Sequence, residues 1–174
     1  MRRYIIFLPS ALLGLIAGIW LYFKPFPYEQ QGNGLVLLLV AGALVGGLLG
    51  TAHLLEKYVP SFSYASKLLE RSLAQFKISY LLAFSLAAIS ALAEELFFRA
   101  VLMPLIGVWA QAILFGLMHP APKKAWAYTV FTGCAGLAFG YATLLTGSLV
   151  PAIAAHFFIN LQGFLELKRL QLKR

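Results

Sequence analysis

The sequence predicts an all-α membrane protein, a polytopic bundle of about six transmembrane helices with one amphipathic helix on the membrane surface. The first observation is composition: the 174 residues are 61% hydrophobic and 11% charged, with a mean hydropathy of +0.82, a balance that soluble domains do not have. The second is that charged residues cluster between long apolar runs, as in polytopic membrane proteins. We expect one transmembrane domain, residues 1–174, with the N-terminal helices and the surface helix in 1–77 and the core of the bundle in 78–167.

The N-terminal part supplies two predicted spans. Tyr4–Phe23 follows Arg2 and Arg3 and is long enough to cross a bilayer, which favours a retained helix over a cleaved signal peptide. Gly34–Leu55 is the second span. Small residues at every fourth position of this span predict the close approach of another helix, and they are Gly42, Gly46 and Gly50.

The more polar stretch Lys57–Lys77 predicts the surface helix, beginning at Pro60 and Ser61. Apolar and charged side chains alternate there at helical spacing, which is typical of an amphipathic helix lying on a membrane. The apolar positions are Leu68, Leu69, Leu73 and Phe76, and the charged positions are Lys67, Glu70 and Arg71.

The C-terminal part supplies the remaining spans. Ile78–Leu105 is the third, and Trp109–His119 is too short to cross a core of about 30 Å, so it either begins near Met103 or is a tilted or partial helix. Ala125–Leu145 and Leu149–Leu167 are the fifth and sixth. Glycines predicted to allow close packing in the fifth span are Gly133, Gly136 and Gly140.

The charge distribution predicts the topology. Six spans place the basic segments on one side together with both termini, so the positive-inside rule predicts cytoplasmic termini. The net charge of +8 is explained by lipid head groups and topology, so the expected partner is the bilayer and not nucleic acid. The single cysteine, Cys134, excludes a disulfide within the chain. The basic segments are Arg2–Arg3, Lys57–Lys77, Lys123–Lys124 and the tail with Lys168, Arg169, Lys173 and Arg174.

A cluster of charge lies inside the third span. Glu94, Glu95 and Arg99 interrupt an apolar segment, and three such groups near a helix centre together cost roughly 8–10 kcal/mol on the insertion scale. Glu95 and Arg99 are four residues apart and share a helix face. We expect Arg99 to hold Glu95 and Glu94 to be free for chemistry, the alternative being an ion-pair cluster that only locks helix packing.

Three further polar side chains, His119, His156 and Asn160, lie in or beside apolar runs, and convergence with the glutamates would offset the cost of burying them all. A carboxylate general base, a proton-sharing histidine and an amide donor suit hydrolysis by an activated water. Zinc is the competing hypothesis, with Glu94, His119 and His156 as ligands, although no His-Glu-x-x-His helix is present. Because Glu94 lies about 24 Å along its helix and His119 near the surface, convergence requires a tilted third helix or a displaced fourth segment.

The sequence resembles a known family in three ordered motifs between Ser90 and Gly163. It is similar to the CAAX protease and bacteriocin-processing family, which includes type II CAAX prenyl endopeptidases and lysostaphin-resistance-protein-A-like proteins. The motifs are Glu-Glu-x-x-x-Arg at Glu94, Glu95 and Arg99, Phe-x-x-x-His at Phe115 and His119, and His-x-x-x-Asn at His156 and Asn160.

The resemblance implies a membrane-embedded endopeptidase, a hydrolase of the glutamate type rather than a zinc-dependent one, with no cofactor favoured. In that family pattern Glu94 and His119 activate water, and His156 and Asn160 stabilise the oxyanion. Glu95 and Arg99 support them. The substrate would be a membrane-associated peptide or protein, such as a prenylated protein or a leader peptide.

Two hypotheses from other classes remain. A non-catalytic protein of the same fold could act in partner binding or bacteriocin immunity. An ion- or proton-coupled transporter would also place ionisable groups inside the membrane, but Tyr4–Leu55 carries no counterpart of the charged stretch, as an inverted repeat would require.

Overall fold

The computed structural model describes residues 6–73, 76–119 and 121–172, and all regular secondary structure in these ranges is helical. Arg2, Arg3, Tyr4, Lys173 and Arg174 lie outside the described residues, as do the side chains of Glu70 and Leu73. The helices are α1 Leu8–Phe23, α2 Gly34–Tyr58, α3 Pro60–Leu73, α4 Tyr80–Glu95, α5 Met103–Leu117, α6 Trp126–Thr146 and α7 Val150–Leu172. A π-helical segment, Leu96–Leu102, joins α4 to α5, and a short 3₁₀ helix, Lys123–Ala125, precedes α6.

Two of the predicted spans begin at side-chain caps. The Asn33 carboxamide oxygen accepts from the backbone N–H groups of Leu35 and Val36, at 3.1 and 3.2 Å. The Ser79 hydroxyl accepts from the Leu82 N–H at 3.1 Å. Both caps satisfy N–H groups that the first turn of a helix leaves without partners, so they fix the starts of α2 and α4.

Four helical stretches are long and apolar enough to cross a membrane, namely Gly34–Tyr58, Tyr80–Leu117, Lys123–Thr146 and Val150–Leu172. Helix α1 has 16 residues, fewer than the roughly 20 of a typical span. The all-helical membrane architecture is therefore confirmed, and the count of six spans stays a prediction.

The stretch Tyr80–Leu117 is not one straight helix. Gly107 has a non-helical backbone, with φ 83° and ψ 166°, a conformation that a residue without a Cβ adopts at little cost. The rings of Phe98 and Phe115 lie 4.9 Å apart, and His119 lies beside Glu94. In one straight helix, the 25 residues from Glu94 to His119 would separate these two side chains by about 37 Å. The chain thus reverses at Gly107, which brings His119 back to Glu94.

Helices α4 and α7 pack antiparallel. The Ile78 N–H donates to the Gln171 side chain at 3.1 Å, near the start of one helix and the end of the other. Ile78, Ala83 and Leu167 form a buried cluster further along the same interface. This register brings the N-terminal third of α7, with His156, to the end of α4, where the glutamates lie.

Close packing at the predicted glycines of α6 is confirmed. A Cβ at Gly136 would lie 2.9 Å from the Phe115 ring, and one at Gly140 would lie 2.7 Å from the Val108 side chain. Gly133 packs against Gly116 of α5. Helices α5 and α6 therefore approach closely along a glycine seam.

The corresponding prediction for α2 is wrong within the chain. A Cβ at Gly42, Gly46 or Gly50 would meet no described atom within 4 Å. The helix contacts the bundle through Leu44, Val45 and Leu48 instead, and these side chains pack against a buried cluster of residues from α6 and α7.

Helix α3 forms as predicted, and its first turns also pack against the bundle. Phe62 and Ala65 are buried, and the Phe62 ring packs 5.3 Å from Phe131 of α6. Leu68 and Leu69 are 36% and 51% exposed, and Phe76 lies beyond the end of the helix. The face against the bundle is thus set by the first turns of α3.

Candidate active site

Glu94 and Glu95 end helix α4 and differ in exposure. The Glu95 side chain is 0% exposed and that of Glu94 is 14% exposed. The π-helical segment begins at the next residue. Segments of this kind are rare and often mark functional sites, because the extra residue per turn changes the directions of side chains.

Glu95 is held by two donors on one oxygen. Arg99 Nη1 donates to Glu95 Oε1 at 2.9 Å, which confirms the contact predicted from the four-residue spacing. His156 Nδ1 lies 2.7 Å from the same oxygen, reaching across from α7. Charged hydrogen bonds of this length are among the strong ones in proteins, so the buried Glu95 carboxylate ties α4 to α7.

Arg99 is itself fully buried. Its Nη2 donates to the Gly136 carbonyl at 3.1 Å, and its guanidinium carbon lies 4.3 Å from the Phe115 ring centroid and 5.2 Å from that of Phe139. An ion pair, a carbonyl acceptor and aromatic faces together offset the cost of burying the guanidinium.

Glu94 faces two imidazoles. Its Oε2 atom lies 3.5 Å from His119 Nε2 and 3.9 Å from His156 Nε2. That oxygen is buried and has no hydrogen-bond partner among the described residues. A buried carboxylate oxygen that faces two imidazole nitrogens is a polar group to which a water can bind.

The two histidines are oriented in the same way. His119 Nδ1 lies 2.8 Å from the Phe115 carbonyl, and a carbonyl only accepts, so this nitrogen carries the hydrogen. His156 Nδ1 is held by the Glu95 carboxylate in the same manner. Both Nε2 atoms consequently point toward Glu94, and in the neutral form of either ring Nε2 is the proton acceptor.

Asn160 lies one helical turn beyond His156. Its Nδ2 donates to the Ser90 hydroxyl at 3.0 Å, and its described polar contact is with Ser90 and not with the glutamates or histidines. The predicted convergence of Glu94, Glu95, His119 and His156 is therefore confirmed as a set of contacts, and Asn160 stands at its edge.

The sequence did not single out several residues that build this site. Ser90 holds Asn160, Phe139 stacks on the His156 ring at 5.5 Å, and Gln111 donates to the Gly136 carbonyl that Arg99 also uses. Two of these residues could have been found from the sequence. Ser90 lies one helical turn before Glu94, and Gln111 is a polar residue inside an apolar run.

A metal site was the competing hypothesis for these residues. Within residues 6–73, 76–119 and 121–172, no group of three or more His, Cys, Asp or Glu side chains is arranged to hold a metal ion. The three ligands of the zinc hypothesis nevertheless face one another, with Glu94 Oε2 lying 3.5 Å from His119 Nε2 and 3.9 Å from His156 Nε2.

Fold and site together define a helical membrane protein with a buried glutamate–histidine centre. The profile of the family described as type II CAAX prenyl endopeptidase, Rce1-like, matches residues 76–162, half of the chain, and the chain belongs to this family. The match contains all three motifs and every residue of the site.

Similarity to a curated protein is more limited. The chain is 31% identical over 75 residues to the uncharacterized protein YpbD of Bacillus subtilis (strain 168). This alignment covers 43% of the chain and 40% of that protein, so the chain matches less than half of the relative's length. No solved structure matches the chain.

Proposed function

We propose that the chain is an intramembrane endopeptidase that hydrolyses a peptide bond near the membrane with a water activated by Glu94 and His119. One observation carries this proposal: a buried carboxylate oxygen of Glu94 faces the Nε2 atoms of His119 and His156 at 3.5 and 3.9 Å. Membership of a prenyl endopeptidase family supports the same class of reaction.

Glu94 is the general base in this proposal. A water in contact with Glu94 and His119 gives a proton to the carboxylate as its oxygen attacks the carbonyl carbon of the substrate. The carbon–nitrogen bond then breaks, and the proton passes to the leaving nitrogen from Glu94 or through His119 Nε2. No covalent intermediate with the enzyme is needed.

His156 and Asn160 stabilise the oxyanion in this proposal. Because His156 Nδ1 already donates to Glu95, its Nε2 can donate to an oxyanion only when the ring is doubly protonated. The Glu95 carboxylate accepts from Nδ1 and holds the ring with Nε2 facing Glu94.

The proposed substrate is a membrane-associated peptide or protein, with a prenylated tail or a leader peptide as the classes to test. The location of the site supports this, because Glu94 and His156 lie inside helices that are long and apolar enough to span a bilayer. We also propose that no metal is needed, since the carboxylate and the histidines supply a base and donors by themselves.

We further propose six membrane segments, with the basic end of the bundle and both termini in the cytoplasm. Two contacts support this arrangement. At one end, Lys168 Nζ donates to the Ile78 carbonyl at 3.3 Å, which brings the basic tail to the segment after α3. At the other end, the Gln31 N–H donates to the Thr146 carbonyl at 2.6 Å, which joins the loop after α1 to the turn after α6.

The proposal is tested with the purified full chain in lipid nanodiscs and a library of quenched-fluorescence peptides. The library contains a prenylated peptide of the CAAX type, the same peptide without the lipid, and transmembrane leader peptides. We expect wild type to cleave at least one class and Glu94→Gln to cleave none. Absence of cleavage by wild type, or equal cleavage by both, would overturn the proposed function.

A further inference from the structure

Two polar pairs join α4 to α7. The first is Glu95 with His156, and the second is Ser90 with Asn160. Ser90 precedes Glu94 by four residues, and Asn160 follows His156 by four. Since α4 and α7 are antiparallel, the two pairs stack one helical turn apart on the same interface. The distance from Asn160 Nδ2 to Ser90 Oγ is 3.0 Å.

The Ser90 hydroxyl is fixed from both directions. Its oxygen accepts from Asn160, and it donates to the Ala87 carbonyl of its own helix at 3.4 Å. Both side chains are half-buried, so few solvent molecules compete for these bonds. The hydroxyl therefore gives the Asn160 amide a fixed point on the helix face that carries Glu94.

We propose that Ser90 is a positioning residue that orients the Asn160 amide toward the substrate carbonyl, an inference that rests on the proposed function. A carboxamide is planar, so the N–H that Ser90 holds determines the direction of the second N–H of the same nitrogen. That second N–H is the one available for an oxyanion. Removal of the Ser90 hydroxyl leaves the amide free to rotate about its own side-chain bonds.

A double-mutant cycle on turnover tests this role, because a residue that acts only through Asn160 loses its effect when Asn160 is absent. The variants are Ser90→Ala, Asn160→Ala and the two combined, with Ser90→Thr as the variant that keeps a hydroxyl. Ser85→Ala is the matched control, since it removes another half-buried hydroxyl from α4. The probe is the library peptide that wild type cleaves fastest, and thermal unfolding of each variant in detergent is measured in parallel.

We expect Asn160→Ala to lower kcat by about 10²-fold, the effect of losing one oxyanion donor. Ser90→Ala should lower kcat by about tenfold with KM nearly unchanged, as loss of a transition-state interaction does. In the Asn160→Ala background the same change should alter kcat by less than about twofold. Ser90→Thr should restore most of the turnover, and Ser85→Ala should match wild type.

Two results would overturn the role of Ser90 while the proposed function stands. One is turnover by Ser90→Ala equal to that of wild type, when wild-type cleavage depends on Glu94. The other is an equal loss in both backgrounds, parallel to a fall in unfolding temperature, which would show a structural effect. Failure of wild type to cleave any library peptide would overturn both proposals together.

Discussion

His156 Nδ1 lies 2.7 Å from Glu95 Oε1 across the interface between α7 and α4, and the same oxygen accepts from Arg99 at 2.9 Å. Glu94 and Glu95 each have a buried Oε2 atom without a hydrogen-bond partner among the described residues, so the difference between them lies in their other contacts. Glu95 Oε1 has two donors within 3 Å, whereas the described ion-pair contacts of Glu94 are 3.5 and 3.9 Å long. We expect Glu95 to hold α4 and α7 together and Glu94 to be the carboxylate that binds and moves a proton.

Glu95→Gln is expected to lower stability and to impair turnover. It removes the negative charge that two buried donors share, and breaking a buried pair costs about 3–5 kcal/mol. It also removes the carboxylate that orients the His156 ring. Unfolding in detergent, followed by circular dichroism, and cleavage of the library peptide measure the two effects.

The combined change Glu95→Gln and Arg99→Gln separates these effects. It no longer leaves a buried guanidinium unpaired, so part of the stability should return. Turnover should stay low, because His156 still lacks its carboxylate. A double variant that is no more stable than Glu95→Gln would show that the ion pair does not limit stability.

Glu94→Gln is expected to abolish turnover and leave folding intact. Loss of a general base typically lowers the rate by about 10²–10⁴-fold, and the partly exposed Glu94 side chain has no ion-pair partner as close as those of Glu95. The peptide assay and the unfolding temperature are measured on the same preparation. Normal cleavage by Glu94→Gln would show that the base lies elsewhere.

Local spacing made part of the site predictable from the sequence. The pairing of Glu95 with Arg99 follows from their separation of four residues, which places both side chains on the same face of a helix. The gathering of the two histidines around the glutamates followed from the cost of burying each group alone. Both arguments need no knowledge of the tertiary structure, and both contacts are confirmed.

Long-range register was not predictable in the same way. Counting residues along the chain predicted different membrane depths for His119 and Glu94. The chain reverses at Gly107 instead, and Glu94 lies 13 residues before this glycine and His119 lies 12 after it. Both side chains therefore reach the same depth. The contact between His156 and Glu95 depends on how α7 slides along α4. A glycine repeat indicates only that a close approach of another helix is sterically allowed. The prediction of close packing was therefore confirmed for α6 and wrong for α2.

Chelation is expected to leave turnover unchanged if water is activated without a metal. Wild type purified in the presence of EDTA should cleave the library peptide at the same rate as untreated protein, and added Zn²⁺ should not raise that rate. Elemental analysis of the untreated protein gives an independent measurement. Stoichiometric zinc, with activity lost to chelator and restored by zinc, would contradict the proposal and assign Glu94, His119 and His156 as ligands.

Gly116→Ala is expected to destabilise the bundle by about 1–3 kcal/mol through overpacking. The added Cβ would lie 2.8 Å from the Thr129 carbonyl oxygen and 3.0 Å from Gly133 Cα, and backbone atoms cannot swing aside as side chains do. Gly18→Ala is the matched control, since a Cβ there meets nothing within 4 Å. An alanine in that helix should be neutral or stabilising by roughly 0.5–1 kcal/mol. Equal unfolding temperatures for the two variants would contradict the close packing of α5 on α6.

Gln111 and Arg99 donate hydrogen bonds to the same carbonyl, that of Gly136. The Gln111 side chain is fully buried, and its Nε2 donates to the Val108 and Gly136 carbonyls at 3.0 and 3.1 Å. Arg99 donates to the same Gly136 oxygen. Gln111 therefore fastens the helix that carries His119 to the carbonyl that also anchors the ion pair.

Two substitutions at this position should differ in severity. Gln111→Leu removes the donor but leaves Gly136 bonded to Arg99, so it should cost about 1 kcal/mol. Gln111→Glu keeps the shape, yet an ionised carboxylate cannot donate and would face the two carbonyl oxygens in a buried site, so its cost should be several kcal/mol larger. The same two changes at Gln162, which is exposed on α7, provide the control and should alter stability little. Unfolding temperatures of the four variants rank these costs, and a Gln111→Glu protein as stable as Gln111→Leu would show that the donation to Gly136 does not hold α5 in place.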